Sequence, residues 1–339
     1  MLNRKSGILL KASYLRVSLE YKPGVKQTTS GPLEAGIAQS LLRKTLIVVC
    51  AYNEAKALPT LLESLKGRNV LVVDDGSTDG TADLFRRYEA TALTHSERQG
   101  KAASLQDAIQ HALEAGYEII VEIDADVIPE PSSVERLLDY LADPSVGAVS
   151  VRQIPVGPPN VAYHIDELIW ATLSSGKRVQ MSRDGSSHLG AAMTAFKPKY
   201  LVSVTGSVND DEEIGQGLAA KGLRTVFADD LSVFFDASSS VGHIMERRKR
   251  MIVGHCAYPK STAPSMEISV AGLAVFKAVL EAPRRVVWAL PALFVECYSR
   301  LMAWRDTRRP LVREKYRRWV TTFEKNHITQ ASSPDTGTA

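Results

Sequence analysis

The segment Val121-Glu122-Ile123-Asp124-Ala125-Asp126-Val127 decides how the rest of the chain is read. Apolar residues lead into two aspartates one residue apart, and Pro129 and Pro131 stop the element soon after. This is the pattern of a strand that runs out at a site. Two carboxylates spaced i, i+2 where a strand ends can converge on one hard divalent cation. Oxygen ligands of this kind suit Mn²⁺ or Mg²⁺, with positions left open for phosphate oxygens. An isolated Asp-x-Asp is common by chance, so the neighbouring segments must carry the reading.

Upstream, Thr45 to Cys50 is continuously apolar and β-branched, as expected for a strand buried on both faces. It breaks at Ala51-Tyr52-Asn53-Glu54, and Leu58, Leu61, Leu62 and Leu65 follow at helical spacing. Val70 to Val73 reads as a second buried strand. It runs into Asp74-Asp75-Gly76-Ser77-Thr78-Asp79-Gly80-Thr81, all turn formers and helix N-caps. A helix from Thr81 to Ala90 and a weak strand at Thr91 to Thr94 come next. Arg98-Gln99-Gly100-Lys101 and a helix from Ala102 to Ala115 then lead to the strand that ends at Asp124. Strands alternating with helices of this length predict βαβ units and a mainly parallel sheet. Ligands of such sheets sit beyond the carboxyl ends of the strands, where all three polar clusters fall.

The ordered set Val-Cys-Ala-Tyr-Asn-Glu, Val-Val-Asp-Asp-Gly-Ser-Thr-Asp-Gly-Thr, Gly-Lys-Ala and Ile-Asp-Ala-Asp resembles the family 2 glycosyltransferases of the GT-A fold over about residues 44–255. The resemblance implies an α/β, Rossmann-like, mainly parallel central sheet flanked by helices. It also implies an inverting enzyme that takes a UDP- or GDP-linked sugar. On that likeness Ala51, Tyr52 and Glu54 meet the base and ribose, and Asp75 accepts a hydrogen bond from the base. Lys101, at the mouth of a helix, suits the pyrophosphate. Asp126 is the first metal ligand, with Asp124 and Ala125 beside it at the metal and sugar. Glu122 is read as structural. Cys50 departs from the family's usual proline at the first turn.

In the second half a helix is expected from Val161 to Val179, with Ile169, Trp170 and Leu173 as packing residues. Gly190 to Phe196 resembles the small-residue strand that lines the acceptor side, and His188 beside it reads as a structural histidine. Aligning Ile214, Leu218 and Gly222 with the family's helix places Asp210 and Asp211 on its acidic pair, which implies Asp211 as general base. Four consecutive acids exceed what a helix N-terminus needs for its dipole. Arg247 and Arg250 occupy the Gln-x-x-Arg-Trp segment of processive relatives without its glutamine or tryptophan. The likeness thus implies non-processive transfer, with a basic helix face as the plain alternative.

The composition excludes little and fits this class. The 339 residues are 45% apolar and carry a net charge of +3, so nothing demands a nucleic-acid partner. Three cysteines form no disulfide framework and fit a reducing cytoplasm. No signal peptide is read at the N-terminus, and no stretch reads as the roughly 20 apolar residues of a spanning helix. We divide the chain into an extension at 1–43, with a short strand at Arg16 to Tyr21, a nucleotide-sugar half at 44–150, an acceptor half at 151–262 and a helical tail at 263–339. In the tail, Ile268 to Phe276 and Val286 to Val295 are apolar runs followed by arginines and tryptophans, suited to the face of an anionic membrane or to packing on the domain. Residues 328–339 have a disordered composition. A hydroxyl acceptor, on a lipid-linked or soluble glycan, follows from the acidic pair. A polyprenyl- or dolichyl-phosphate sugar synthase, an inactive nucleotide-sugar-binding relative and a nucleotidyltransferase are the alternatives.

Overall fold

The computed structural model describes residues 35–308 other than 89, 191, 202, 205–208 and 257–267. The expected strand at Arg16 to Tyr21, the arginines beyond Arg308 and the composition-based reading of 328–339 lie outside the described residues.

After helix α1 (Ala35–Arg43) come β1 (Thr45–Ala51), α2 (Leu58–Ser64), β2 (Val70–Asp74), α3 (Thr81–Arg87), β3 (Thr91–Thr94), α4 (Lys101–Glu114) and β4 (Ile119–Ile123). The chain continues through β5 (Val127–Pro129), α5 (Ser133–Leu141), β6 (Val146–Val156), α6 (Val161–Asp184), β7 (Met193–Phe196), α7 (Asp210–Ala219) and β8 (Arg224–Asp236). It closes with α8 (Val241–Cys256), α9 (Ile268–Glu281) and α10 (Ala289–Thr307).

The strands form one sheet in the order β3-β2-β1-β4-β7-β6-β8-β5. The β3-β2-β1-β4 half is parallel throughout, as the alternation of strands and helices predicts. Beyond it β7 runs antiparallel to both β4 and β6, and β5 antiparallel to β8, whereas β6 and β8 are parallel. Parallel pairing is thus confined to one half and one further pair. Of the mixed half only β7, within the expected strand Gly190 to Phe196, was read, because β6 and β8 carry polar residues that break the buried-strand pattern.

Alternate residues of each central strand serve opposite layers. Ile47, Val49, Val72 and Val121 pack with Leu58, Leu61 and Leu62 of α2 and with Leu137 and Leu138 of α5. Leu46, Val48, Leu71 and Ile120 pack with Leu105 and Ile109 of α4 and with Ile214 and Leu218 of α7. Covering both faces is what such apolar strands require. The result is the mixed α/β sheet flanked by helices that the GT-A likeness implies.

Helix α6 begins at Asn160, whose side chain accepts the Tyr163 N–H, and continues past the expected Val179 to Asp184, where Gly185 takes the left-handed conformation. A third apolar cluster joins α6 and α8 to the tail through Ile165, Leu168, Ile169, Ile244, Ala278, Ala292 and Val295. Arg248 adds a two-pronged pair to Glu296 at 2.9 and 3.0 Å, and Ser299 Oγ donates to the Met245 carbonyl. One face of the tail therefore packs on the domain. On the other, Leu290, Leu293, Phe294, Leu301 and Trp304 are all more than half exposed. Counting the 3₁₀ turn before α10, Pro283–Thr307 is long and apolar enough to cross a membrane by length and composition. No spanning helix is expected there from the sequence, because Glu296, Arg300 and Arg305 interrupt the apolar run.

Candidate active site

The carboxyl ends of β1, β2 and β4 open onto three interlocked loops. Asn53 N–H donates to Ser77 Oγ, Asn53 Oδ1 accepts from Thr78 N–H, and Ala55 N–H donates to Asp79 Oδ2. Glu54 N–H donates to Thr81 Oγ1. The polar run after β2 thus fixes the Tyr52–Glu54 loop as well as starting α3. Arg98 lies over the Tyr52 ring, 4.1 Å from its centroid.

Asp75 is turned inward and holds the third loop. Its carboxylate accepts from Gln99 N–H at 2.7 Å, from Gly100 N–H at 2.8 Å, and contacts His95 Nδ1 at 2.9 Å. The residue is 3% exposed. A nucleobase N–H would have to share an oxygen already engaged, so the geometry gives Asp75 a positioning task in addition to any base contact. Gly76 makes the approach possible: at φ +76° it is left-handed, and a Cβ there would stand 3.0 Å from the Glu97 backbone.

Lys101 does not project into an open mouth. Its Nζ lies 2.7 Å from Asp124 Oδ1, 2.7 Å from Glu122 Oε1 and 3.1 Å from Asp210 Oδ2. Burial opposes the ammonium's charge, but Asp124, Asp210 and Glu122 outweigh it and hold Lys101 well above its ordinary pKa. Glu122, fully inside, is pushed well up by burial despite Lys101. Asp210 moves the other way: Lys101 and the hydrogen bond from Glu122 overcome its burial and lower it. The pyrophosphate expectation for Lys101 therefore meets a lysine already committed to three carboxylates, and Glu122 is part of the polar cluster.

Asp124 and Asp126 sit in the turn between β4 and β5, and the charge of Asp126 adds to burial in raising the pKa of Asp124. The β5–β8 ladder ends at Val127 and Phe235, the residues next to Asp126 and Asp236. Hard carboxylate oxygens that repel one another are the donor set a Mg²⁺ or Mn²⁺ ion satisfies, so these residues fit such an ion.

The acidic run opens α7. Asp211 is pushed up to about 6 by burial and by the charge of Asp210, against the pull of His255, Lys177 and Lys101. Lys177, from the buried side of α6, is brought down to about 8 by burial. A Cβ on Gly190 would stand 2.4 Å from Lys177 Nζ, so that glycine makes room for the lysine. His188 Nε2 lies 4.0 Å from Asp211 Oδ2. Arg247 pairs with Asp166, donates to Ser238 Oγ and lies over Trp170. Arg250 Nε is buried without a hydrogen-bond partner among the described residues.

Residues 46–203 match the family described as glycosyl transferase family 2. The protein carries a family 2 glycosyl transferase domain. Among curated relatives, the polyprenol monophosphomannose synthase of Mycolicibacterium smegmatis is 28% identical over 145 residues, 40% of this chain and 54% of that protein. The poly-beta-1,6-N-acetyl-D-glucosamine synthase of Staphylococcus aureus is 22% identical over 225 residues, 62% of this chain and 54% of that protein. The chain therefore spans about half the length of the curated relatives it matches. A crystal structure of glucosyl-3-phosphoglycerate synthase from Mycobacterium tuberculosis with Mn²⁺ and UDP-glucose aligns over 72% of this chain and 86% of that one, at 18% identity and a TM-score of 0.49.

The family 2 segment ends before Asp210, Arg247 and Arg250, so the structure adds what the family match does not cover. Sequence reasoning missed Lys177, Asp236 and His255. Their signals were faint: a lysine between a glycine and an arginine in a helix, an acid closing a strand, and a histidine after a basic run.

Proposed function

We propose that this glycosyltransferase moves a sugar from a UDP- or GDP-linked donor to an acceptor hydroxyl with inversion, with Asp211 as general base. One observation carries the reading. Lys101 joins Asp124, at the end of β4, to Asp210, at the start of α7, so the aspartate turn and the acidic pair share one ammonium. The attacking group is thereby brought to the sugar rather than to a separate pocket.

Tyr52 and Glu54, in the loop after β1, receive the nucleoside, with Ala51, Asp75 and Gly100 shaping its floor. Asp211 takes the acceptor's proton as the hydroxyl oxygen attacks the anomeric carbon. The bond from that carbon to the diphosphate oxygen breaks, and its electron pair leaves with the diphosphate. A carboxylate near pKa 6 is matched to proton abstraction close to neutral pH. Asp126, with Asp124 beside it, would hold Mn²⁺ or Mg²⁺, which supplies charge neutralisation for the diphosphate. Arg250, whose buried Nε has no hydrogen-bond partner among the described residues, would bond a phosphate oxygen. Arg247, held by Asp166, supports that helix instead.

A second reading, a lipid-phosphate acceptor, is favoured by the name of the mycobacterial relative and by the exposed apolar face of α10. A lipid-linked acceptor, in either reading, would be presented at the cytoplasmic face of an anionic membrane. Peripheral seating suits α10 better than spanning, since crossing would strip Glu296 from Arg248.

The deciding experiment pairs a thermal-shift screen of UDP-, GDP- and dTDP-sugars, with Mn²⁺ and with EDTA, to transfer assays on Asp211→Asn. Binding to the native state raises the melting temperature. The expected result is a metal-dependent shift with one nucleotide in both proteins and transfer only by the wild type. Near-normal transfer by Asp211→Asn would remove the base assignment and favour the lipid phosphate, which is already anionic.

A further inference from the structure

Beside Asp211 lies a group of side chains that neither the donor site nor the proton transfer uses. Glu212 Oε2 is 3.2 Å from His188 Nδ1 and 3.3 Å from His255 Nδ1. The three atoms all lie within 4.8 Å of one another, and the imidazole rings meet edge to face at 5.0 Å. The residues come from three elements: the loop before β7, the first turn of α7 and the last turn of α8.

We propose that His188, Glu212 and His255 form a second metal site, for a divalent transition ion of the zinc(II) class, built from different residues than the Asp124–Asp126 turn. Ligand choice supports it, because two imidazoles and one carboxylate are a borderline donor set that suits Zn²⁺, whereas the all-oxygen turn suits Mn²⁺ or Mg²⁺. Spacing supports it as well. Ligands bound at about 2.0–2.2 Å around one ion stand about 3.0–3.5 Å apart, which the two nitrogen–oxygen distances match. As hydrogen bonds, those same distances stand at the long end of the N–H···O range, which runs to about 3.2 Å.

The surroundings complete the site. Gln216 Nε2 donates to Glu212 Oε1 at 3.0 Å, fixing one carboxylate oxygen and presenting the other to the histidines. Metal ligands are oriented by such outer partners. The His188 side chain is mostly buried, 21% exposed, and its Nδ1 faces the Glu212 carboxylate. Three protein ligands leave a coordination position open, and the His255 side chain is 40% exposed, so that position faces solvent. An ion on Nδ1 of His188 makes Nε2 the ring's N–H, 4.0 Å from Asp211 Oδ2. The second ion would thus orient a donor towards the proposed base, through a histidine and without touching the donor sugar.

The test uses the full chain, stripped with chelator, then titrated with Zn²⁺ by calorimetry and counted by elemental analysis. The Co²⁺-loaded protein is read by visible absorption. Wild type should bind Zn²⁺ tightly, and His255→Ala and Glu212→Gln should each weaken that binding by roughly 100-fold or more and abolish the Co²⁺ spectrum. Asp126→Ala should retain both, and Gln216→Ala should cost about tenfold, as an outer partner does. Melting curves in EDTA establish that each variant is folded; His255 is half-exposed near a helix end, which makes its truncation the safest. The proposal is overturned if wild type binds no Zn²⁺, if His255→Ala and Glu212→Gln bind it normally, or if Asp126→Ala alone removes it. None of these readouts depends on sugar transfer, so failure of the base assignment would leave them unchanged.

Discussion

The two halves of the sheet are held together by different physics. In the β3-β2-β1-β4 half, the interior is aliphatic on both faces and charge is confined to the strand ends. In the β6–β8 half, ion pairs reach inside. Asp229 of β8 takes Arg152 from β6 at 2.5 Å and Arg178 from α6 at 3.2 Å, and the fully buried Asp166 takes Arg247. The first arrangement packs aliphatic side chains against helices on both faces. Beside the second, burial moves Asp211 and Lys177 towards neutrality, with the charge of Asp210 adding to the shift of Asp211. The proposed function thus sets a binding surface and a reactive surface on one sheet.

The largest test of that division is Asp211→Asn. Loss of a general base costs roughly 100- to 10,000-fold in turnover. Nucleotide-sugar binding, which we propose for the other half, should be unchanged by thermal shift. In the wild type, kcat/KM should climb as pH rises through about 6, where Asp211 loses its proton, and level off above it. A flat profile across that range would mean that the reactive half does not work through this carboxylate.

Stability comes next. Leu71→Ala, in the aliphatic half, should cost about 2–5 kcal/mol from lost burial and a cavity. Asp229→Ala should cost about 3–5 kcal/mol for a different reason, two guanidinium groups left without their carboxylate. The comparison sharpens with Asp229→Leu combined with Arg152→Met. Apolar replacement of a buried pair is often neutral, and Arg178 keeps Glu281, so most of the loss should return. No recovery by denaturant titration would mean that the pair shapes β6 and β8 and does more than offset its own burial.

How much was legible in the sequence follows the same line. β1, β2 and β4 were readable because an aliphatic run has one stable use, and their polar ends announce the rim. Asp126, Asp124 and Asp211 could be proposed for that reason, each beside a run that fixes its element. β6 and β8 were not, because Arg152, Asp229 and Asp230 interrupt them, and only their partners on other elements make those charges tolerable. Lys101 was assigned to phosphate because a lysine at a helix mouth has no visible partner in one dimension. Its three carboxylates lie between 21 and 109 residues away in sequence. His188, read as structural, needed Glu212 and His255 beside it before it could be read as anything else.

The tail belongs to neither half, and its exposed face sets a smaller effect. Leu290→Ser with Phe294→Ser should weaken sedimentation with anionic vesicles by about tenfold or more, since each large apolar side chain is worth about 1.5–3 kcal/mol when it leaves water. Melting in solution should not change, because neither residue packs on the domain. Unchanged vesicle binding would assign that face to a protein partner or to a second copy of the chain.

The smallest expected effect sits where the aliphatic half does hold an internal charge. His95 is flanked by Asp75 at Nδ1 and Asp107 at Nε2, each at 2.9 Å, and these two outweigh its burial and raise its pKa. A histidine whose folded pKa exceeds its unfolded value near 6.5 stabilises most when protonated in both states, and the gain is lost as pH rises through the folded pKa. Relative to His95→Gln, the wild type should therefore be most stable at about pH 6, with the gap narrowing from about 6.5 upward. Denaturant midpoints at steps of pH measure this directly. A gap that widens with pH would show that the imidazole is held neutral, with Asp75 kept in place by the Gln99 and Gly100 amides alone. The parallel half would then contain no charge-dependent contact at that loop, and its contrast with the β6–β8 half would be sharper than the present geometry implies.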